Sequence, residues 1–181
     1  MINYLIRDLL SVLCYLPYGM AVGILAALAL GVVNDWRVRR KRKPFSVAAT
    51  TSFFMYVVII LFITFLSRET GSNRGIDLEL FSTWGINDRN NAYVVENVLL
   101  FIPYGFVCAW AIRPARKFPV CLMIGLATSV GIEYMQLITQ RGYFQIDDVI
   151  TNTLGAVIGY LVFICVPHRD SVKKEESHLP T

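Results

Sequence analysis

Five apolar runs, each about 18 to 25 residues long, constrain this chain more than any other feature of its sequence. They cover residues 9–33, 47–66, 93–112, 118–139 and 149–166. An α-helix rises 1.5 Å per residue, so about 20 residues cross the ~30 Å hydrocarbon layer of a bilayer. The sequence therefore predicts an all-α fold, a polytopic membrane helix bundle with about five transmembrane helices.

The composition supports lipid as the solvent. Of the 181 residues, 55% are hydrophobic and 17% are charged, whereas about a quarter of the residues of a soluble domain are charged. A small globule has too much surface to hide this apolar excess. The basic run 37–43 directly follows the first apolar run, which is typical of a cytoplasmic loop. We expect membrane lipids as partners, and no nucleic acid.

The distribution of Lys and Arg predicts the orientation. The loops at 37–43 and 113–117 and the tail carry most of the basic residues near apolar runs, and alternate crossing puts all three on one side. Basic loops stay in the cytoplasm. We therefore predict an outside N-terminus and an inside C-terminus, in a multi-pass protein of the bacterial plasma membrane. Residues 1–168 form the membrane domain, and 169–181 a mobile cytoplasmic tail.

Small residues recur every four positions in two of the runs. Residues four apart share a helix face, and small side chains let two backbones approach closely. A proline within the third run predicts a kink, followed by a glycine that allows close packing. The predicted packing residues are Gly19, Gly23, Gly31, Pro103, Gly105, Gly155 and Gly159.

The segment "EYMQLITQRGYFQIDDVITN", residues 133–152, concentrates polar side chains between two apolar runs. Glu133 and Gln136 share a helix face, and so do Asp148 and Asn152. The predicted topology brings these side chains to the outer face of the membrane, with Arg141 as the cation of the hairpin. Two interpretations stay open: a structural polar clamp between helices, or a site for a headgroup or a proton.

Three further features belong to the same face. Asn97 begins the third run at the predicted depth of Glu133. We expect Asp147 to cap its own helix or to face water, while Asp148 faces inward. The loop 67–92 mixes apolar and acidic residues, and it either lies along the interface with Trp84 at headgroup level or folds back as a lid over the polar cluster.

Two of these stretches resemble the VanZ-like family of bacterial membrane proteins. The family pattern is Asn, an apolar run and Phe-x-Pro-x-Gly-Phe, then Glu-x-x-Gln, an Arg, and Asp-Asp-x-x-x-Asn-x-x-Gly-x-x-x-Gly. It falls here on Asn97, Phe101, Pro103, Gly105 and Phe106, then on Glu133, Gln136, Arg141, Asp147, Asp148, Asn152, Gly155 and Gly159. One departure is "DLELF", where the family often has Asn-Leu-x-Pro-Phe, so the shape of the outer loop stays open.

The resemblance implies a four-helix core, so one N-terminal span is additional or divergent. It also implies an association with low-level resistance to teicoplanin, a glycopeptide with a lipid tail, but no known reaction. The first hypothesis is therefore a protein that influences glycopeptide susceptibility by binding a lipid-linked or phosphate headgroup, such as a cell-wall precursor or the lipoglycopeptide itself. Its ligand-binding residues would be Asn97, Glu133, Gln136, Arg141, Asp147, Asp148 and Asn152.

Two other hypotheses stay open. The first is an enzyme acting on a lipid-anchored cell-envelope substrate, with Glu133 or Asp148 in acid–base chemistry. The second is a structural scaffold. No cofactor and no metal site are expected, because the four cysteines lack CxxC spacing and both histidines, His168 and His178, lie beyond the last apolar run. The oligomeric state is left open.

Overall fold

The computed structural model describes residues 1–66, 71 and 75–166, and within them the chain forms six α-helices and two short strands. The predicted tail 169–181 lies outside the described residues. In chain order the elements are α1 (Ile2–Val12), a 3₁₀ turn (Leu13–Tyr15), α2 (Leu16–Arg39), α3 (Val47–Leu61), a π-helical turn (Phe62–Leu66), β1 (Ile76–Asp77), α4 (Asp88–Ala111), a second 3₁₀ turn (Arg113–Arg116), α5 (Phe118–Ile138), β2 (Phe144–Gln145) and α6 (Ile146–Cys165).

Five helical segments of the described chain are long and apolar enough to cross a membrane, as predicted. They are Ile2–Arg39, Val47–Phe65, Asp88–Ala111, Phe118–Ile138 and Ile146–Cys165. The first begins seven residues before the predicted run, because the amphipathic helix α1 precedes α2 and joins it through the 3₁₀ turn. Pro17 lies in the first turn of α2, where a proline is tolerated because its missing N–H has no helical partner.

Local signals begin two of the helices. Ser46 caps α3, its hydroxyl accepting from the N–H of Ala49 at 3.4 Å. Asn87 caps α4, its side-chain oxygen accepting from the N–H groups of Arg89 and Asn90 at 3.0 and 2.8 Å. These caps satisfy backbone donors that would otherwise be orphaned at a helix start.

The glycines of α4 and α6 define the closest helix contact. A Cβ added to Gly159 would overlap the carbonyl oxygen of Ile102, and one added to Gly155 would overlap that of Val98. Likewise a Cβ on Gly105 would overlap the carbonyl of Ala156. Gly155 and Gly159, four residues apart on α6, thus contact Val98 and Ile102, four residues apart on α4, in the same order. The helices therefore run parallel, with their backbones in contact.

The stripe in α2 meets α3 over only part of its length. Gly19 lies against Ile59, and Gly23 lies against Thr51 and Met55. A Cβ on Gly31 would meet nothing within 4 Å, so its predicted packing role is wrong. Gly31 lies two turns beyond Gly23. The antiparallel helix α3 does not reach that far, because it begins at Val47, one turn before Thr51.

Pro103 lies inside α4 with its ring exposed, and the helix continues through it from Asp88 to Ala111. A proline cannot donate to the carbonyl four residues earlier. In the same turn the hydroxyl of Tyr56, on α3, donates to the carbonyl of Leu100 at 2.6 Å. A neighbouring helix thus supplies a donor where the ladder of α4 is weakened.

One end of the bundle collects the C-terminal ends of α3 and α5 and the N-terminal ends of α4 and α6; we call it the polar end. Residues Ile76 and Asp77 pair there in parallel with Phe144 and Gln145. This pairing ties the loop before α4 to the hairpin between α5 and α6. Two segments far apart in sequence therefore form one surface at the polar end.

Candidate functional site

Buried polar side chains line the contact between α5 and α6. We call them the polar seam: Ser129, Glu133, Gln136, Asp148 and Asn152. Ser129, Glu133 and Gln136 are spaced by four and three residues, which puts them on one face of α5. The Asn152 Nδ2 donates to the Ser129 hydroxyl at 3.0 Å, and the backbone N–H of Gln145 donates to a Glu133 carboxylate oxygen at 3.1 Å. Two rungs thus join antiparallel helices along a buried polar seam.

Burial of these side chains is nearly complete. The exposed fraction is 2% for Glu133, 1% for Gln136, 2% for Asn152 and 7% for Asp148. Burying polar groups in an apolar environment costs free energy unless they find partners. The predicted inward direction of Asp148 agrees with its burial.

Gln136 and Arg141 connect the seam to the end of α3. The Gln136 Nε2 donates to the carbonyl of Thr64 at 2.7 Å, and the Arg141 Nη1 donates to that of Phe65 at 2.9 Å. The guanidinium also lies over the Phe65 ring, 4.9 Å from its centroid. The last carbonyls of a helix have no helical donors. These two side chains supply donors at the π-helical turn that ends α3.

Asp147 plays a part that the sequence did not predict. Its carboxylate accepts from the N–H groups of Phe81 and Thr83 at 2.7 and 3.1 Å, and its exposed fraction is 7%. The expectation that Asp147 caps its own helix or faces water is wrong, because the loop before α4 folds down onto it and supplies two backbone donors. Asp147 therefore anchors the loop.

The described part of that loop, residues 75–87, combines both predicted arrangements. Its backbone covers the start of α6 through Asp147 and the β1–β2 pairing. Its apolar side chains point away, with Phe81 74% and Trp84 55% exposed. We call residues 75–87 the lid, because their backbone covers the start of α6. Their apolar side chains lie at the surface of the polar end, as those of an interfacial segment do.

Hydrogen bonds also order the lid internally. The Asp77 carboxylate accepts from the N–H of Glu79 at 3.0 Å and from the Ser82 hydroxyl at 2.8 Å. These donors, Ser82 first, lower the pKa of Asp77 below its ordinary value of 3.8, and the side chain of Gln145 adds to the effect. A carboxylate that accepts several hydrogen bonds favours its charged form.

Two buried amide oxygens of the cluster have no hydrogen-bond partner among the described residues, the Oε1 of Gln136 and the Oδ1 of Asn152. The side-chain amide of Gln136 points its nitrogen, not its oxygen, at the Thr64 carbonyl, because two acceptor oxygens cannot form a hydrogen bond with each other. Buried polar groups of folded proteins are nearly always paired. These two oxygens are therefore buried acceptors that the described chain leaves unused.

Two acidic or amide side chains of α4 lie beside this network. Asn97 is half-buried, next to the Val98 that packs on Gly155. Among the described residues, its side chain makes no hydrogen bond to the seam. Glu96 lies near Asp8 and Arg7 of α1 instead, with one buried oxygen unpaired. The seam therefore holds Glu133, Gln136 and Asn152, together with Asp148, which is buried at the start of α6. The other predicted site residues lie around it: Arg141 at its edge, Asp147 under the loop, and Asn97 on α4.

The metal-ligating side chains in the part of the chain that the structure covers form no metal centre. No three His, Cys, Asp or Glu side chains there are placed to hold one ion. Carboxylates and amides remain as the chemistry of the seam, with one guanidinium at its edge. This set can bind polar groups by hydrogen bonds and charge.

Five membrane-length helices define a multi-pass integral membrane protein. More particularly, the chain belongs to the VanZ/LLP1 family, which matches residues 53–167. The matched region holds the C-terminal part of α3 and all of α4, α5 and α6, and it excludes α1 and α2. The matched region thus contains the entire polar seam, and the first span lies outside it.

A curated relative supports the same assignment. Protein VanZ of Enterococcus faecium is 30% identical over 90 residues, which are 50% of this chain and 53% of the relative. The chain thus spans about half the length of this relative. No solved structure matches it.

Proposed function

We propose that this protein binds the polar headgroup of a lipid-anchored molecule at the outer face of the membrane, and thereby lowers susceptibility to lipid-tailed glycopeptides such as teicoplanin. The observation that carries the proposal is the buried polar seam, with two amide oxygens that the described chain leaves unpaired. Membership of the VanZ/LLP1 family supports the link to glycopeptides.

The energetics favour a ligand over a purely structural clamp. An ionisable side chain within the bilayer costs up to a few kcal/mol on insertion scales, of order 3 kcal/mol at the centre of a helix. A clamp would be expected to satisfy its own groups, since an unpaired buried acceptor costs about 1–3 kcal/mol. Gln136 and Asn152 each keep one such acceptor. A bound headgroup would offset that cost.

Arg141 suits the charged part of such a ligand. A guanidinium has five N–H donors in a fixed fork that matches phosphate. One of them binds the Phe65 carbonyl, which fixes the group at the rim of the seam. A phosphate placed there would lie beside the amide and carboxylate oxygens.

The positions of the basic loops indicate which side of the membrane the polar end faces. The basic loops 37–43 and 113–117 lie at the opposite end of the bundle from the seam, because α2 and α4 end there. Basic loops stay in the cytoplasm. The polar end would therefore face outward, where a glycopeptide and its lipid-linked target are found.

Expression in a glycopeptide-susceptible bacterium tests the proposal. We expect the chain to raise the minimal inhibitory concentration of teicoplanin more than that of a glycopeptide without a lipid tail. The variants Glu133→Gln and Asp148→Asn should lose the effect at wild-type protein levels, while Asp88→Asn, an exposed acid at the same end, should keep it. Retained resistance in both seam variants would exclude the seam from the function. New products from a lipid-linked substrate mixed with purified protein would instead identify an enzyme.

A further inference from the structure

The side-chain amides of Gln136 and Asn152 each leave one hydrogen-bonding atom without a partner in the described chain, and in both it is the acceptor oxygen. The two amide nitrogens are committed, the Gln136 Nε2 to the Thr64 carbonyl at 2.7 Å and the Asn152 Nδ2 to the Ser129 hydroxyl at 3.0 Å. The corresponding oxygens are buried without a partner. A ligand that fits here must therefore donate hydrogen bonds.

The two side chains that carry the unpaired oxygens both adjoin one face of α5. Gln136 and Asn152 are coupled through α5, because Asn152 binds Ser129 and Ser129 shares a face with Glu133 and Gln136. That face spans seven residues, or about 10 Å at 1.5 Å per residue. Glu133 lies between Ser129 and Gln136 on this face, and its carboxylate accepts from the Gln145 N–H at 3.1 Å.

We infer that the seam selects headgroups that carry N–H or O–H donors, as a primary ammonium or as hydroxyls, next to a phosphate held by Arg141. This inference rests on the proposed function, because it assumes that a headgroup binds here. A quaternary ammonium presents neither N–H nor O–H. It would fill the same space and leave both acceptors unpaired.

The size of the selectivity follows from the number of acceptors. A single hydrogen bond that involves a charged group gives discrimination of roughly tenfold or more. Phosphatidylethanolamine and phosphatidylcholine make a matched pair. They share phosphate, net charge and acyl chains, and differ in the N–H donors of the ammonium.

The experiment titrates the full-length protein, purified in detergent, with each lipid and follows the bound fraction by native mass spectrometry. Phosphatidylglycerol, with the same acyl chains, supplies hydroxyl donors without an ammonium. We expect phosphatidylethanolamine to bind at least about tenfold more tightly than phosphatidylcholine, which has the same net charge. Because phosphatidylglycerol is anionic, it is compared with phosphatidylmethanol, which has the same net charge and no hydroxyl. Tighter binding of phosphatidylglycerol in that pair identifies the hydroxyl as a donor.

Other outcomes separate the two proposals. Equal, saturable binding within each of the two pairs of lipids would overturn donor selection and leave headgroup binding intact. Saturable binding of none would overturn both. These readings come from the unmutated protein, so they do not depend on whether any variant folds.

Variants then locate the selectivity. Asn152→Leu removes one of the two unpaired acceptors at nearly constant volume and should reduce the preference for donor-bearing lipids, with the Gln136 oxygen accounting for what remains. Asn152→Asp keeps an acceptor that Ser129 can still bind, and should retain the preference. Ser129→Ala removes only the partner of the amide nitrogen, so it should also retain the preference. An unchanged preference in Asn152→Leu would exclude this acceptor.

Discussion

The backbone N–H of Gln145 donates a hydrogen bond to the carboxylate of Glu133 across 3.1 Å, and so joins the residue before α6 to the middle of the polar face of α5. Glu133 is 2% exposed, so this N–H has little access to water. The carboxylate therefore has a structural partner as well as a proposed ligand. Substitutions of different shape can separate the two roles.

Glu133→Ala should destabilise the protein, whereas Glu133→Gln should not. Alanine leaves the Gln145 N–H without an acceptor, which costs about 1–3 kcal/mol. Glutamine keeps an oxygen that can accept from it, and replaces the second, charged oxygen by an amide NH2 group. Thermal unfolding of the purified protein in detergent measures both. Equal midpoints for Glu133→Ala and wild type would contradict the role of this hydrogen bond.

Asp147→Ala should release the lid. The Asp147 carboxylate accepts from the N–H groups of Phe81 and Thr83, at 2.7 and 3.1 Å, and alanine removes both acceptor oxygens. We expect faster hydrogen exchange at these two amides, measured by mass spectrometry. Glu79→Ala is the matched control, because Glu79 is an exposed acid on the same loop. Unchanged exchange in Asp147→Ala would show that the β1–β2 pairing suffices.

Acid should loosen the internal structure of the lid. The folded pKa of Asp77 lies below its ordinary value of 3.8, chiefly because the Ser82 hydroxyl stabilises the carboxylate. A lowered folded pKa contributes stability above pH 3.8, and this contribution is lost as the pH falls through the folded value. NMR titration of the Asp77 carboxyl carbon should therefore show a midpoint below 3.8.

Ser82→Ala provides the control for this titration. It removes the hydroxyl that binds the Asp77 carboxylate at 2.8 Å, so the midpoint should rise towards the ordinary value. The Glu79 N–H remains as a donor, so the rise should be partial. A midpoint that does not move would mean that the Ser82 hydroxyl does not set the pKa.

Much of the fold follows from local sequence. The five spans are predicted because length and apolar character are properties of single segments. The seam follows from spacing, since Glu133 with Gln136 and Asp148 with Asn152 each share a helix face. Alternate crossing then brings them to one end. Helices α4 and α6 begin before the predicted apolar runs, because polar residues such as Asp88 and Asp147 belong to their first turns.

The contacts of the lid could not be predicted in this way. Phe81 and Thr83 are 66 and 64 residues before Asp147, and no spacing rule connects such positions. The same holds for Gln136 and Thr64, which are 72 residues apart. One signal was present in the sequence. A helix start needs one acid, and a second adjacent one, Asp147 beside Asp148, indicates another partner.

Gly159→Val should prevent normal packing of α6 on α4. Any Cβ at this position overlaps the Ile102 carbonyl, which is backbone and cannot rotate away. Overpacking a tight core typically costs about 1–3 kcal/mol. Gly31→Val is the matched control, because a Cβ there meets nothing within 4 Å. We expect a lower unfolding midpoint for Gly159→Val alone, and equal midpoints would contradict the close approach.

Labelling of engineered cysteines should show that the polar end faces outward. Glu79→Cys puts an exposed thiol on the lid, and Arg40→Cys puts one at the basic end. A membrane-impermeant maleimide applied to intact cells should label Glu79→Cys, and should label Arg40→Cys only after the cells are opened. The native chain gives the background, since Cys14, Cys108, Cys121 and Cys165 all lie within predicted spans. The reverse pattern would place the seam at the cytoplasmic face, and would remove the basis for its action on an external glycopeptide.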